Sequence, residues 1–314
     1  MTRWLPELAC LSRRPIVYED ETLAQELGLP PFVRAASSVA LVSDRLYVVQ
    51  DDVNALAIVD PRTATARPVP LPLDGALQRT KGDKADLEAS ALFPDGRLFL
   101  FGSGSGPLRR VALAVELDTL SVSAARADGL FSSLDRALAG VGVSRTNVEG
   151  VAVLGEATFF LHRGPSVGSE PANVVVRIPT SAVLAALEHG AETAAAASAR
   201  PVELGERGGL RVTWTDGAAM YGLGLAFVAC TERTSSVTDD GACTGSYLGL
   251  IGRDGAATVA QITLGGEPLR DKLEGLALAG ARAWAVSDAD EVLAPSHLFE
   301  LPFGAHATPD AHAS

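Results

Sequence analysis

Five polar residues stand at the same point of five similar segments, and four of them are carboxylates: Ser37, Glu88, Glu149, Asp216 and Glu274. The segments read SSVALVSDRLYVVQDD, EASALFPDGRLFLFGSG, EGVAVLGEATFFLHRG, DGAAMYGLGLAFVACTE and EGLALAGARAWAVSDAD. A small residue follows each start (Ser38, Ala89, Gly150, Gly217, Gly275), and alanine falls three positions after it, at Ala40, Ala91, Ala152, Ala219 and Ala277. A second apolar run then ends on Asp51, Ser103, Arg163, Glu232 or Asp288. Carboxylates held a few ångströms apart raise one another's pKa, so such a set needs protons, basic neighbours or a cation. Calcium takes six to eight oxygens in loose geometry and suits carboxylates plus a hydroxyl better than octahedral magnesium does. If a cation does the neutralising, Ca2+ is the ion expected, with protons or basic side chains as the other ways to settle the charge. A solvated strand start explains any one of these acids; five in register favour convergence.

The elements that must position them follow from the repeat. Successive starts lie 51, 61, 67 and 58 residues apart, and each interval holds several short apolar runs bounded by turn residues. That period reads as an all-β fold, a β-propeller of five four-stranded blades. The third and fourth strands are legible at 55–60 and 66–72, 109–117 and 121–127, 172–179 and 199–205, and 246–254 and 257–264. The last repeat has only SHLFELPF at 296–303, one strand short. RPIVYED at 14–20 is expected to supply the missing strand and close the ring, which removes two open edges. A serine start, helical spacing and a terminal glycine predict a short helical insert over 181–190, and further helical inserts are expected over 130–140 and 21–29. Residues 1–314 are expected to form one domain with a frayed tail over 304–314.

In a propeller the first strand of a blade lines the channel and the second runs back beside it. Strand-one starts and strand-two ends therefore share one mouth. Several other residues fall there. GSGSGPLRR at 102–110 carries Ser103 and Ser105, whose backbone N–H groups could cradle an anion, with Arg109 following. Arg163 could clamp an anion or neutralise Glu149 or Asp51. Asp288 completes the outer ring. Arg79, Lys81 and Lys84 form a basic patch before Glu88, and His162 alternates away from the mouth. GSGSG lacks the strand-to-helix turn of a nucleophile elbow. Trp214 and Trp284 read as core.

Composition narrows the class. The net charge is −12, which opposes a nucleic-acid partner and adhesion to anionic membranes. Three cysteines, Cys10, Cys230 and Cys243, make no disulfide framework and leave at most one Cys230–Cys243 bridge. No basic start precedes a clean apolar run, and no stretch of about 18 apolar residues occurs. A cytoplasmic setting is expected.

The order Ser–Glu–Glu–Asp–Glu, one residue per inner strand, resembles the calcium-activated nucleotidase (apyrase) family, although Asp216 stands where that family has serine. KLEGLAL at 272–278 and NVEGVAV at 147–153 resemble the esterase-like phytase family, and 85–105 is similar to a group of bacterial propeller proteins. The first resemblance implies a five-bladed propeller with an axial calcium held by the five named residues. The expected function is a calcium-dependent hydrolase of phosphoesters or phosphoanhydrides. In it Glu149 or Glu274 acts as base, and Ser103, Ser105, Arg109, Arg163 and Asp288 meet a small anionic substrate. Two alternatives stand beside it: a non-enzymatic ligand- or protein-binding propeller locked by an ion or ion pairs, and a lactonase or glycosidase using the central carboxylates.

Overall fold

The computed structural model describes residues 2–74, 77–80, 82–193, 196–233, 241–289, 291 and 293–304. Its strands form antiparallel meanders around a central axis, the arrangement of a β-propeller. The first sheet holds Ala36–Val42, Arg45–Gln50, Ala55–Asp60 and Thr65–Pro70. The second holds Leu87–Leu92, Leu98–Gly102, Ala112–Val115 and Val122–Ala125. The third holds Val148–Leu154, Ala157–Arg163, Asn173–Pro179 and Ser198–Pro201. The fourth is built on Thr213–Met220, Gly224–Glu232, Cys243–Gly252 and Ala257–Leu264. The fifth holds Lys272–Ala279, Arg282–Asp288 and His297–Pro302, and its fourth strand is Ser12–Pro15.

Counted as unbroken four-strand meanders, the blades number four and not the five expected. The last repeat runs out of chain after its third strand and borrows from the N-terminus. The borrowed strand is shorter than the expected 14–20: Ser12 pairs with Glu300 and Pro15 with His297. The chain then crosses to the first sheet, where Val17–Tyr18 lies parallel to Thr65–Pro70. Upstream, Arg3–Trp4 and Leu8–Ala9 lie parallel to Ala257–Leu264 of the fourth sheet, which the sequence did not suggest. One N-terminal stretch thus stitches three sheets together.

Tight hairpins join each first strand to its second. Gly155 (φ +61°) and Gly280 (φ +63°) open two of these turns, a conformation glycine adopts without strain. Buried apolar clusters fill each junction between neighbouring sheets. Tyr47, Val49, Leu87 and Leu98 join the first to the second, and Phe101, Val151 and Phe160 the second to the third. Leu161, Trp214 and Phe227 continue to the fourth, Val228, Leu276 and Phe299 to the fifth, and Val39, Trp284 and Val286 return to the first. The ring of inner strands is closed by contact of each with the next.

The helices occupy Glu21–Glu26, Asp128–Ala139 and Thr180–His189, close to the expected inserts. The latter two pack on each other and on Asn173–Pro179. Cys10, Cys230 and Cys243 are unbridged. Among the described residues no helix is long and apolar enough to cross a membrane. Lys81 and the tail beyond Gly304 lie outside the described residues.

Candidate functional site

Each inner strand carries a bulge near its start, where one residue is skipped in the pairing with the second strand. The skipped residues are Ser37, Glu88, Glu149, Thr215 and Glu274. A bulge re-aims its side chain, which is how a strand turns a polar group toward the channel mouth. Four of the five expected residues occupy this position. In the fourth sheet it belongs to Thr215, and Asp216 falls one step later, level with Ser38, Ala89, Gly150 and Gly275. The hydroxyl residues confirm the alignment. Ser37 Oγ donates to Leu87 O at 2.5 Å, and Thr215 Oγ1 donates to Leu273 O. Each thus caps the carbonyl just before the next sheet's acidic bulge.

The carboxylates are not gathered at one point; internal cations divide them. Glu149 pairs with Arg163 (2.9 Å) and accepts from Asn147 Nδ2 (2.6 Å). Arg163 also faces Glu232 at 3.6 Å. Lys272 lies 3.2 Å from Glu232 and 2.7 Å from Glu274, so an alternating chain of charge runs Glu149, Arg163, Glu232, Lys272, Glu274. On the other side of the mouth Lys84 pairs with Asp51 and, at 2.9 Å, with Asp86. Asp86 also meets Arg109 at 2.9 Å and accepts from Ser103 Oγ at 2.5 Å.

Glu88 sits in the middle of the second group. Oxygens of Asp51, Asp86 and Glu88 all lie within 4.8 Å of one another, a spacing that could hold a metal ion. Burial, then Asp86, Asp51 and Glu149, push Glu88 well above the usual carboxylate range; Lys84 opposes. Burial also pushes Asp51 up to about 7, with Asp288 and Asp52 adding to the shift and Lys84 resisting it. Burial works against the charge on Lys84, but Asp51, Glu88 and Asp86 outweigh it and hold the ammonium protonated. The mouth is acid-rich: Asp51, Asp86, Glu88, Glu149, Glu232, Glu274 and Asp288 face Lys84, Arg109, Arg163 and Lys272.

Asp216 lies on the axis. Its Oδ1 accepts from Gly217 N (2.7 Å), and its Oδ2 from Leu276 N of the fifth sheet (2.9 Å) and Ser38 Oγ of the first (3.4 Å). A Cβ on Gly150 of the third sheet would come within 2.9 Å of Oδ1. One side chain that touches the inner strands of three sheets can only be central. Burial raises its pKa well above the carboxylate range against the pull of these hydrogen bonds. Ser38 continues the network to Ser90 Oγ at 2.9 Å.

The GSGSG loop turns its backbone inward. Gly102 N, Ser103 N and Gly104 N donate to Val111 O, Asp86 O and Arg109 O, and Ser105 N to Ser103 Oγ. Ser105 Oγ lies 2.8 Å from Ser103 Oγ and accepts from Arg109 at 3.0 Å. Ser103, Ser105 and Arg109 thus support Asp86, and their N–H groups are not presented as a cradle. Arg163 is the partner of Glu149, one of the two roles expected of it. His162 is buried and points away from the mouth, its Nδ1 accepting from Asn147 N (3.0 Å). Trp214 and Trp284 are core. Of the basic patch, Lys84 reaches the site, whereas Arg79 bonds within its own loop. Asp86, Asn147 and Lys272 were missed. Each stands two residues before an acidic bulge, in DLE, NVE and KLE, where strand alternation places it beside the bulge residue at the mouth.

Residues 32–302 match the model of a family of unknown function, DUF6929, and the chain belongs to that family. The matching model is not that of either family that the inner-strand residues resemble. No curated protein matches the sequence significantly. Among solved structures, a glycosyl hydrolase from Bacteroides ovatus is similar at 9% identity over 94% of both chains, TM-score 0.49. The calcium-binding protein regucalcin from Agrobacterium tumefaciens str. C58 is similar at 8% identity over 97% of both chains, TM-score 0.44. Likeness of this degree carries no argument about activity.

Proposed function

We propose that this member of the DUF6929 family binds a hard divalent cation, calcium by preference, at Asp51, Asp86 and Glu88, and draws a small anionic molecule to the same mouth. The composite fifth sheet is taken as a fifth blade, with the site at one end of the channel it completes. The carrying observation is the trio of carboxylates within 4.8 Å of one another, served by Lys84 and, at Asp86, by Arg109. The donors are all hard oxygens, as calcium requires, and calcium tolerates their irregular arrangement. Lys84 acts as a resident counter-ion that a divalent cation would displace. The reading moves the ion off the axis: Ser37, Glu149, Asp216 and Glu274 frame the mouth and are engaged elsewhere.

A calcium ion so placed would polarise a phosphoryl or ester oxygen and lower the pKa of a bound water. Phosphoester or phosphoanhydride hydrolysis is the activity this would support. Arg163 would orient the anion, and Glu149 or Glu274 would accept a proton once released from Arg163 or Lys272. A second reading is favoured by the raised pKa of Glu88. A protonated acid beside Asp51 and Asp86 is the equipment of ion-free acid–base cleavage of a glycoside or lactone.

Calcium titration calorimetry on chelator-treated protein tests the proposal, with Glu88→Gln and Glu274→Gln alongside. Saturable 1:1 binding that E88Q abolishes and E274Q keeps is expected. Loss in both variants would return the ion to the axis. No binding to the wild type would remove the ion and leave the second reading, to be tried on sugars and lactones. Binding without phosphoester turnover would make the protein a ligand-binding propeller.

A further inference from the structure

We infer that a second pocket, on the outer side of the GSGSG loop, binds an oxyanion carried on a small molecule with an apolar part. The cleft, about 640 Å³, lies between this loop and the helix Asp128–Ala139, and is lined by Gly106, Arg110, Leu138, Val143 and Arg145 among others. None of the three residues proposed above as cation ligands lines it, and the inference does not rest on that reading.

Two arginines carry the argument. Arg145 is held by its Nε, which donates to Ser105 O at 2.5 Å; its two terminal nitrogens have no partner among the described residues. Arg110 is held by one terminal nitrogen on Asp135, and Asp135 is itself fixed by Thr146 Oγ1 at 2.5 Å. The other donors of Arg110 are likewise without a partner among the described residues. Each guanidinium is therefore anchored at one corner and keeps spare N–H groups, in the planar geometry that matches phosphate and carboxylate. Anchoring in advance lowers the entropy lost on binding.

The wall between them is rigid. Gly104 has φ +71° and lies against Phe131, where a Cβ would come within 2.6 Å of the ring. The floor is apolar: Leu138 and Val143 are 1% and 5% exposed. Two cations face one carboxylate, Asp135, in a chain of net charge −12, so the pocket is a local positive patch. The nearby Glu170 carboxylate accepts from Ser144 N at 3.3 Å and is not among the lining residues.

Calorimetric titration of the full chain with inorganic phosphate, phenyl phosphate and benzoate tests the site, using wild type, Arg145→Gln, Arg145→Lys and the distant control Arg282→Gln. Saturable binding of phenyl phosphate, tighter than inorganic phosphate, is expected. R145Q should weaken it about tenfold or more, R145K less, and R282Q not at all. Tighter binding of benzoate would assign the oxyanion to a carboxylate and still support the site. No saturable binding of any probe overturns the inference, as does equal weakening by R145Q and R282Q. Arg145 makes one part-buried side-chain hydrogen bond and no ion pair among the described residues, so its variants are expected to fold.

Discussion

Replacing Lys84 with methionine removes the ammonium from between Asp51, Asp86 and Glu88. Two unit charges at 4.8 Å, the upper limit of separation in the trio, repel by about 3.5 kcal/mol at an effective dielectric of about 20. Three ionised carboxylates would carry roughly three such terms, about 10 kcal/mol, which Arg109 on Asp86 offsets only in part. Proton uptake is cheaper, because neutralising an ordinary carboxylate at pH 7 costs about 4 kcal/mol. Asp51, already pushed up to about 7, costs less still. The variant should therefore lose about 2–4 kcal/mol near neutral pH, in line with the removal of one partner from a buried pair. The sign with pH follows. Carboxyls whose folded pKa exceeds the unfolded value stabilise fully below the unfolded value, and that stability is lost as pH rises toward the folded one. The deficit of K84M should grow from pH 5 to pH 8. Calcium at a hundred times its Kd should return about 2.7 kcal/mol. Urea denaturation at pH 5, 7 and 8, with chelator or calcium, measures all of this. An equal deficit at pH 5 and 8 would mean that Lys84 acts through packing, and no deficit would refute its role as counter-ion.

Further substitutions bear on the frame. Ser37→Ala and Thr215→Val each remove a hydroxyl bond to the next sheet's carbonyl and should each cost about 1–2 kcal/mol in chemical denaturation; a neutral T215V would break the equivalence of the two bulges. Gly150→Ala places a Cβ 2.8 Å from Gly217 N and 2.9 Å from Asp216 Oδ1, and should cost about 2 kcal/mol or more in melting experiments, whereas Gly82→Ala meets nothing within 4 Å and should be neutral. His162 is buried and lowered to about 4, chiefly by burial, so its contribution is whole above pH 6.5 and lost as pH falls toward 4. His162→Asn, which keeps an acceptor for Asn147 N, should flatten that acid limb; an unchanged limb would place the acid sensitivity elsewhere.

Much of the frame was legible because it repeats. Alanine three residues after a polar start marks the channel strand of the first, second, third and fifth sheets. The fourth copy was misaligned by one because residue type overrode position: TDG offered a carboxylate where the bulge takes a threonine. Had Ala218 been matched with Ala40, Ala91, Ala152 and Ala277, Thr215 would have fallen into line. The borrowed strand was legible as a missing partner, but Ser12–Pro15 was placed too late, because Ile16, Val17 and Tyr18 look like its continuation although the chain has by then crossed to the first sheet. The ring of carboxylates was visible in outline. Its division was not, because ion pairing depends on which long side chains meet across sheets: Lys84 reaches back to the first sheet, and Lys272 to the fourth. The backbone of the GSGSG loop was misread because composition shows that glycine exposes N–H groups, not that neighbouring carbonyls accept them.

Anomalous diffraction from a crystal grown with a heavier calcium mimic, such as manganese or terbium, locates the cation directly. One difference peak bounded by oxygens of Asp51, Asp86 and Glu88, with Lys84 turned away, is the predicted result. A peak on the axis among Glu149, Asp216 and Glu274, or no peak with Lys84 still seated between Asp51 and Asp86, would contradict it.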